Sequence, residues 1–136
     1  MPARKTGKRH QSYVLHVLLV ILAVLVVFII AFYAQYNSVK IYAGTLPCAD
    51  CSGIQTTLSL KGNHAYSLKL VYIGRNTSFT EIGSWQQEEK NNMQVYVLQN
   101  ENQTSYYERI DPNTLRLLTN NAQPISAPFN EDLKRQ

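Results

Sequence analysis

Cys48 and Cys51 are the only thiols of the chain, and they sit three residues apart in Leu46-Pro47-Cys48-Ala49-Asp50-Cys51-Ser52-Gly53-Ile54. A C-x-x-C pair supports three chemistries. The first is a local disulfide, which suits a domain in an oxidising compartment. The second is a catalytic redox couple. Thioredoxin-type activation places the first cysteine near a helix N-terminus, whereas this motif leads into a strand pattern and no βαβ pattern accompanies it. The third is metal. A closed zinc site needs four ligands, and the residues on offer are Cys48, Cys51, His64 and acids such as Asp50, with no second C-x-x-C. Cu(I) asks for less: it is soft, soft thiolates favour it, and two sulfurs can hold it at low coordination. A disulfide pair and a Cu(I) ligand pair are therefore the two readings of Cys48 and Cys51.

Other residue types add no catalytic constellation. The chain has no G-x-S-x-G elbow and no Gly-rich phosphate loop. His64 follows a turn and reads as a solvated turn residue. Glu88 and Glu89 stand in a polar stretch, where a solvated face is the ordinary explanation. The expectation is a protein that is not an enzyme and that needs no cofactor beyond copper(I).

The elements that must position the cysteines are strands. Ile54, Thr56, Leu58 and Leu60 alternate with Gln55, Thr57, Ser59 and Lys61, which is the period-two pattern of a half-buried strand. Tyr66, Leu68, Leu70 and Tyr72 repeat it after Lys61-Gly62-Asn63. Further strands are expected near 78–86, 92–99, 104–110 and 114–119. They are separated by Gly74-Arg75-Asn76, the polar stretch 87–91, the stretch 100–102 and Asp111-Pro112-Asn113. Short strands with regular turn signals predict an all-β sandwich or barrel, and short connections predict an antiparallel meander. Trp85, Phe79, Tyr66, Tyr72, Tyr96, Tyr106 and Tyr107 are the bulky candidates for the core. A barrel of about eight strands either fills its interior with side chains or holds one small ligand, so a small apolar ligand is a second class of partner.

The charge balance locates this domain. The 136 residues carry a formal net charge of +4, but Arg4, Lys5, Lys8 and Arg9 supply all of it. The remaining nine basic residues match nine acidic ones. A nucleic-acid binder needs its basic cluster on the folded domain, so no nucleic-acid partner is expected. Residues 14–34 carry no formal charge and are rich in Val, Leu, Ile and Phe; about 20 such residues cross a bilayer core as a helix. Tyr13, Tyr33 and Tyr36 stand where an interfacial belt would lie, and the basic flank places the N-terminus in the cytoplasm. The run is longer than the apolar region of a cleaved signal peptide, and Phe32 spoils a small-x-small site ending at Ala34. The expected organisation is a basic cytoplasmic tail (1–13), a transmembrane signal-anchor helix (14–34), a polar tether (35–40) and an exported β domain (41–136).

At the cysteine segment the sequence resembles a known family. Gly44-Thr45-Leu46-Pro47-Cys48-Ala49-Asp50-Cys51-Ser52-Gly53-Ile54, followed by Gln-Thr-Thr-Leu-Ser-Leu, is similar to the N-terminal domain of the NlpE copper-resistance lipoproteins. Gly83-Ser84-Trp85, Tyr106-Tyr107, Leu115 with Leu117, and Pro124-Ile125 before Phe129-Asn130 follow in the same order, so the resemblance spans about residues 41–133. It implies a lipocalin-like β-barrel in the Gram-negative envelope, with roles in copper tolerance, surface sensing and envelope-stress signalling, and therefore an envelope protein partner. It carries Cys48 and Cys51 over as the redox or copper pair. Two departures stand out: the family's lipidated cysteine is replaced by a transmembrane helix, which moves the expected site to the inner membrane with the β domain periplasmic, and the second domain of the longer members is missing. A lipocalin-like carrier and a structural, membrane-tethered interaction module are the alternatives.

Overall fold

From Gln11 to Tyr36 the sequence holds no acid and no Lys or Arg, and nothing in it breaks a helix. In the computed structural model, which describes residues 7–125 and 132–136, this stretch belongs to one helix, α1 (Gly7–Tyr36). Its apolar side chains point outward on every side and none is buried within the structure. A helix apolar all round belongs in a large core or in a membrane, and α1 is long and apolar enough to cross one. The Ser12 carbonyl accepts from His16 Nδ1 at 2.6 Å, so the polar ring bonds to its own helix. Asn37 ends the helix by donating both its backbone N–H and its side-chain amide to the Tyr33 carbonyl, at 3.1 and 3.0 Å. Arg4 and Lys5 of the basic flank, and Phe129 and Asn130 of the resemblance, lie outside the described residues.

The described residues of the second unit, Ser38–Gln136, hold eight strands. They are β1 (Val39–Leu46), β2 (Ile54–Lys61), β3 (Ala65–Tyr72), β4 (Thr77–Lys90), β5 (Met93–Gln99), β6 (Thr104–Asp111), β7 (Thr114–Leu117) and β8 (Asp132–Arg135). Each pairs antiparallel with the next, and β8 returns to β1 to close an all-antiparallel barrel. The expected meander and closure are both present. The turns follow their residues. Asn91 and Asn92 both adopt positive φ, 53° and 62°, which is the two-residue hairpin geometry Asn favours. The side chains of Asn100 and Asp111 accept backbone N–H groups of the turns they open.

Three expectations need correction. The stretch 35–40 is not a tether: Gln35 and Tyr36 complete α1, and Val39 and Lys40 open β1. The polar stretch 87–91 is not a separator, because β4 continues to Lys90. There the cross-strand bond from Gln87 Nε2 to Gln94 Oε1 (2.7 Å) and the seat of Lys90 Nζ over the Tyr106 ring (4.7 Å) replace an apolar face. Phe79 is not core: it is 55% exposed and meets only the edge of Tyr72, with ring centroids 5.9 Å apart.

The interior is packed. Tyr42, Leu58, Leu60, Leu98, Tyr107, Leu115 and Leu133 are buried in one cluster that Ile54, Leu70, Trp85 and Leu117 complete. Burial pushes the Tyr107 hydroxyl well above the usual tyrosine range. A second, smaller cluster lies behind β5, where Val95 and Val97 are covered by Leu118 and Ala122, with Tyr106 alongside. Arg116 locks β7 to β8 with a forked pair to Asp132, Nε to Oδ1 at 2.8 Å and Nη2 to Oδ2 at 3.2 Å. This guanidinium holds the Asp132 carboxyl below its usual range. A depressed folded value contributes stability above the unfolded pKa, near 4, and loses it as pH falls through the folded value. Asp132→Asn is therefore expected to cost about 1 kcal/mol at pH 7, because the pair is partly open to solvent. The urea midpoints of parent and variant should draw together as pH falls below about 4 and through the lowered folded value, and a cost independent of pH would disprove the ion-pair account.

Candidate functional site

The connection from β1 to β2 carries both cysteines, and the structure joins them: the S–S distance is 2.05 Å and the Cα atoms are 5.3 Å apart. Pro47 holds one shoulder of the loop. Gly53 holds the other at φ 146°, where a Cβ would lie 2.7 Å from Thr45 Cγ2. Only glycine takes that backbone conformation without strain. The cysteines are half-buried, while Pro47, Ala49, Asp50 and Ser52 around them are exposed. Asp50 Oδ1 lies 3.6 Å from Cys48 Sγ, and the Gly53 carbonyl lies 3.3 Å from Cys51 Sγ.

A residue distant in sequence fixes this loop. Arg75, in the β3–β4 turn, donates through Nη2 to the Asp50 carbonyl at 3.0 Å and to Asp50 Oδ2 at 2.6 Å. Ile73 N–H donates to the Gly53 carbonyl at 2.9 Å. Two neighbouring loops at one end of the barrel are thus tied by backbone and side chain together. The pair is exposed and contributes modestly to overall stability; its effect is to orient the loop. Neither Arg75 nor Ile73 was singled out by sequence reasoning. Arg75 stands in a predicted turn, and nothing in a turn residue's neighbours says which other turn it will meet.

His64 lies elsewhere. It occupies the β2–β3 turn at φ 64°, exposed, with its ring 5.1 Å from that of Trp85 and Nδ1 3.1 Å from the Trp85 carbonyl. That turn is at the opposite end of β2 from the cysteine loop. Among the described residues, no three His, Cys, Asp or Glu side chains come together in a way that could hold a metal ion. The four-ligand zinc geometry therefore has no basis around Cys48 and Cys51. What the loop offers is two sulfurs and one neighbouring carboxylate. While the sulfurs are bonded to each other neither is a thiolate, so metal binding there requires reduction first.

Residues 42–128 match the family model described as the NlpE N-terminal domain. The chain belongs to that family. Among curated proteins, lipoprotein NlpE of Escherichia coli (strain K12) is 30% identical over 96 residues, which cover 68% of this chain and 39% of that protein. Among solved structures, the Cpx pathway activator NlpE from Escherichia coli matches with a TM-score of 0.55 at 30% identity, over 67% of this chain and 46% of that one. A lipoprotein structure from Shewanella oneidensis matches with a TM-score of 0.57 at 28% identity, over 74% of this chain and 89% of that one. The chain thus spans about two fifths of the curated NlpE relative it matches. The NlpE barrel is the shared part, and α1 lies outside the family match.

Proposed function

We propose that this chain is a non-enzymatic, single-pass module of the bacterial inner membrane that serves copper tolerance or envelope-stress sensing through Cys48 and Cys51. The basic flank ahead of α1 supports a cytoplasmic N-terminus and a periplasmic barrel. The observation that carries the reading is the cysteine loop itself: a half-buried disulfide in a loop that Arg75 ties through Asp50 to the β3–β4 turn, on a barrel whose interior is filled. In the oxidised state the loop is closed. Two electrons and two protons open it to two thiols, whose thiolates suit Cu(I).

The Escherichia coli relative of known structure is a Cpx pathway activator. Signalling to an envelope protein partner is the corresponding role here, delivered from an anchored barrel. The carrier alternative has less support. Leu58, Leu60, Leu98, Leu115 and Leu133 already occupy the space that a small apolar ligand would need.

A competition titration tests the copper reading. The reduced barrel, Ser38–Gln136, is expected to take Cu(I) from a competing chelator and to leave Zn(II) largely unbound. A Cys48→Ser, Cys51→Ser double variant should not compete for Cu(I). Equal competition by both proteins would remove copper from the proposal, and so would a pair that stays oxidised in membranes under copper load.

A further inference from the structure

β4 is two ladders end to end. Thr77–Ser84 pairs with β3, and Ser84–Lys90 pairs with β5, so the two ladders share only Ser84. The strand exchanges β3 for β5 as its partner next to Gly83, which passes so close to the Gln99 carbonyl that a Cβ would lie 2.2 Å from it. As a result the edge of residues 77–82 that faces away from β3 has no ladder partner among the described residues. In an antiparallel ladder, every second residue of such an edge turns its N–H and C=O outward.

Natural sheets protect an open edge with Lys, Pro, a bulge or a covering loop. Thr77-Ser78-Phe79-Thr80-Glu81-Ile82 has no Lys and no Pro, and its types favour a strand. Its one charge, Glu81, is held at Oε2 by Gln103 Nε2 at 2.8 Å and by Asn100 Nδ2 at 3.5 Å. The other five residues are exposed, with Ile82 at 72% and Phe79 at 55%. An open groove of about 1090 Å³, lined by Thr80, Glu81, Ile82, Ser67 and Asn102 among others, runs beside it.

We infer that this edge pairs, antiparallel and about a two-fold axis at Thr80, with the same edge of a second copy of the chain. The charges fit self-pairing. In that register Thr77 faces Gly83, Ser78 faces Ile82 and Phe79 faces Glu81, so no like charges stand directly opposed. Outside the basic flank the chain's charges sum to zero, which removes long-range repulsion between copies. The contact is isologous and uses up the edge, so it stops at two copies. A strand of this length is a small interface for two proteins meeting in solution. Anchoring both copies in one membrane raises their effective concentration and offsets that weakness; this step rests on α1 as the anchor. The site pairs barrel with barrel.

The test uses the full chain in native membranes. Thr80→Cys, made in a chain whose Cys48 and Cys51 are both replaced by Ser, is expected to give an oxidative cross-linked dimer, absent from that serine background and from Gln94→Cys on β5. Ser78→Cys and Ile82→Cys should cross-link when the two variants are mixed far more than either does alone. Thr80→Lys, which sets two ammonium groups face to face, should abolish co-purification of two differently tagged copies while leaving the barrel's melting unchanged. No dimer from Thr80→Cys, or association untouched by Thr80→Lys, would overturn the inference. A Thr80→Cys adduct with a different membrane protein would overturn it too, since the edge would then serve another partner's strand. None of these readouts depends on copper or on the oxidation state of Cys48 and Cys51, so failure here leaves the copper titration standing, and the reverse holds.

Discussion

Trp85→Ala is expected to cost the barrel about 3 kcal/mol or more, the range for truncating a large aromatic side chain packed on a core. Three contacts combine there. The indole packs against the central cluster and meets Tyr96 edge-on, with centroids 5.4 Å apart and planes at 79°. Its Nε1–H donates to the Lys61 carbonyl at 2.9 Å, which ties β4 to the β2–β3 turn. Trp85→Phe keeps most of the apolar contact and leaves the Lys61 carbonyl without its indole partner, for a loss of about 1 kcal/mol. Urea denaturation of parent and both variants would separate the two contributions. A cost for Trp85→Ala below about 1 kcal/mol would show that the ring stands outside the core.

Gly83→Val should be at least as damaging. An added Cβ would meet the Gln99 carbonyl oxygen at 2.2 Å, the Gln99 carbonyl carbon at 3.0 Å and Tyr66 Cε1 at 2.7 Å. Two of those three atoms are backbone and the third belongs to a buried ring, so none of them yields like the end of a flexible chain. Overpacking of this kind typically costs about 1–3 kcal/mol, and here it strikes beside Ser84, where β4 exchanges its β3 partner for β5. The expected outcome is loss of roughly 3 kcal/mol or failure to fold. Gly83→Ala should already lower the melting temperature clearly. An alanine variant as stable as the parent would mean that β4 does not cross Gln99 closely.

Much of this barrel can be read from residue order, and the omissions have physical causes. β2 and β3 show clean alternation, and Leu58, Leu60, Tyr66 and Leu68 face inward as their spacing demands. β1 hides because its alternation is filled on both faces. Tyr42 and Leu46 point in, while Val39 and Ile41 point out with 50% and 40% exposure. The far half of β4 hides because its support is polar. β8 is four residues long, too short for a pattern, and its place depends on Arg116 sixteen positions earlier. At the cysteine loop, spacing alone left a disulfide and a thiolate metal pair as alternatives. The structure closes the bond and adds Arg75, a contact between loops 25 residues apart that no local pattern encodes.

Seven ladders of this barrel join strands that follow one another along the chain, so each hairpin can zip as soon as its second strand emerges. The eighth, in which Tyr42 and Ala43 meet Arg135 and Lys134, must wait for nearly the whole domain. β1 is thus the first strand synthesised and the last to gain its second neighbour. Until Asp132 arrives, the growing sheet has a raw edge at β1, and Arg116 has not yet met its carboxylate. A chain interrupted late in synthesis would carry almost every element and still be an open sheet, exposed to aggregation and to proteases. Closure of the barrel is therefore decided by β8, which acts as a seal on the strands made before it.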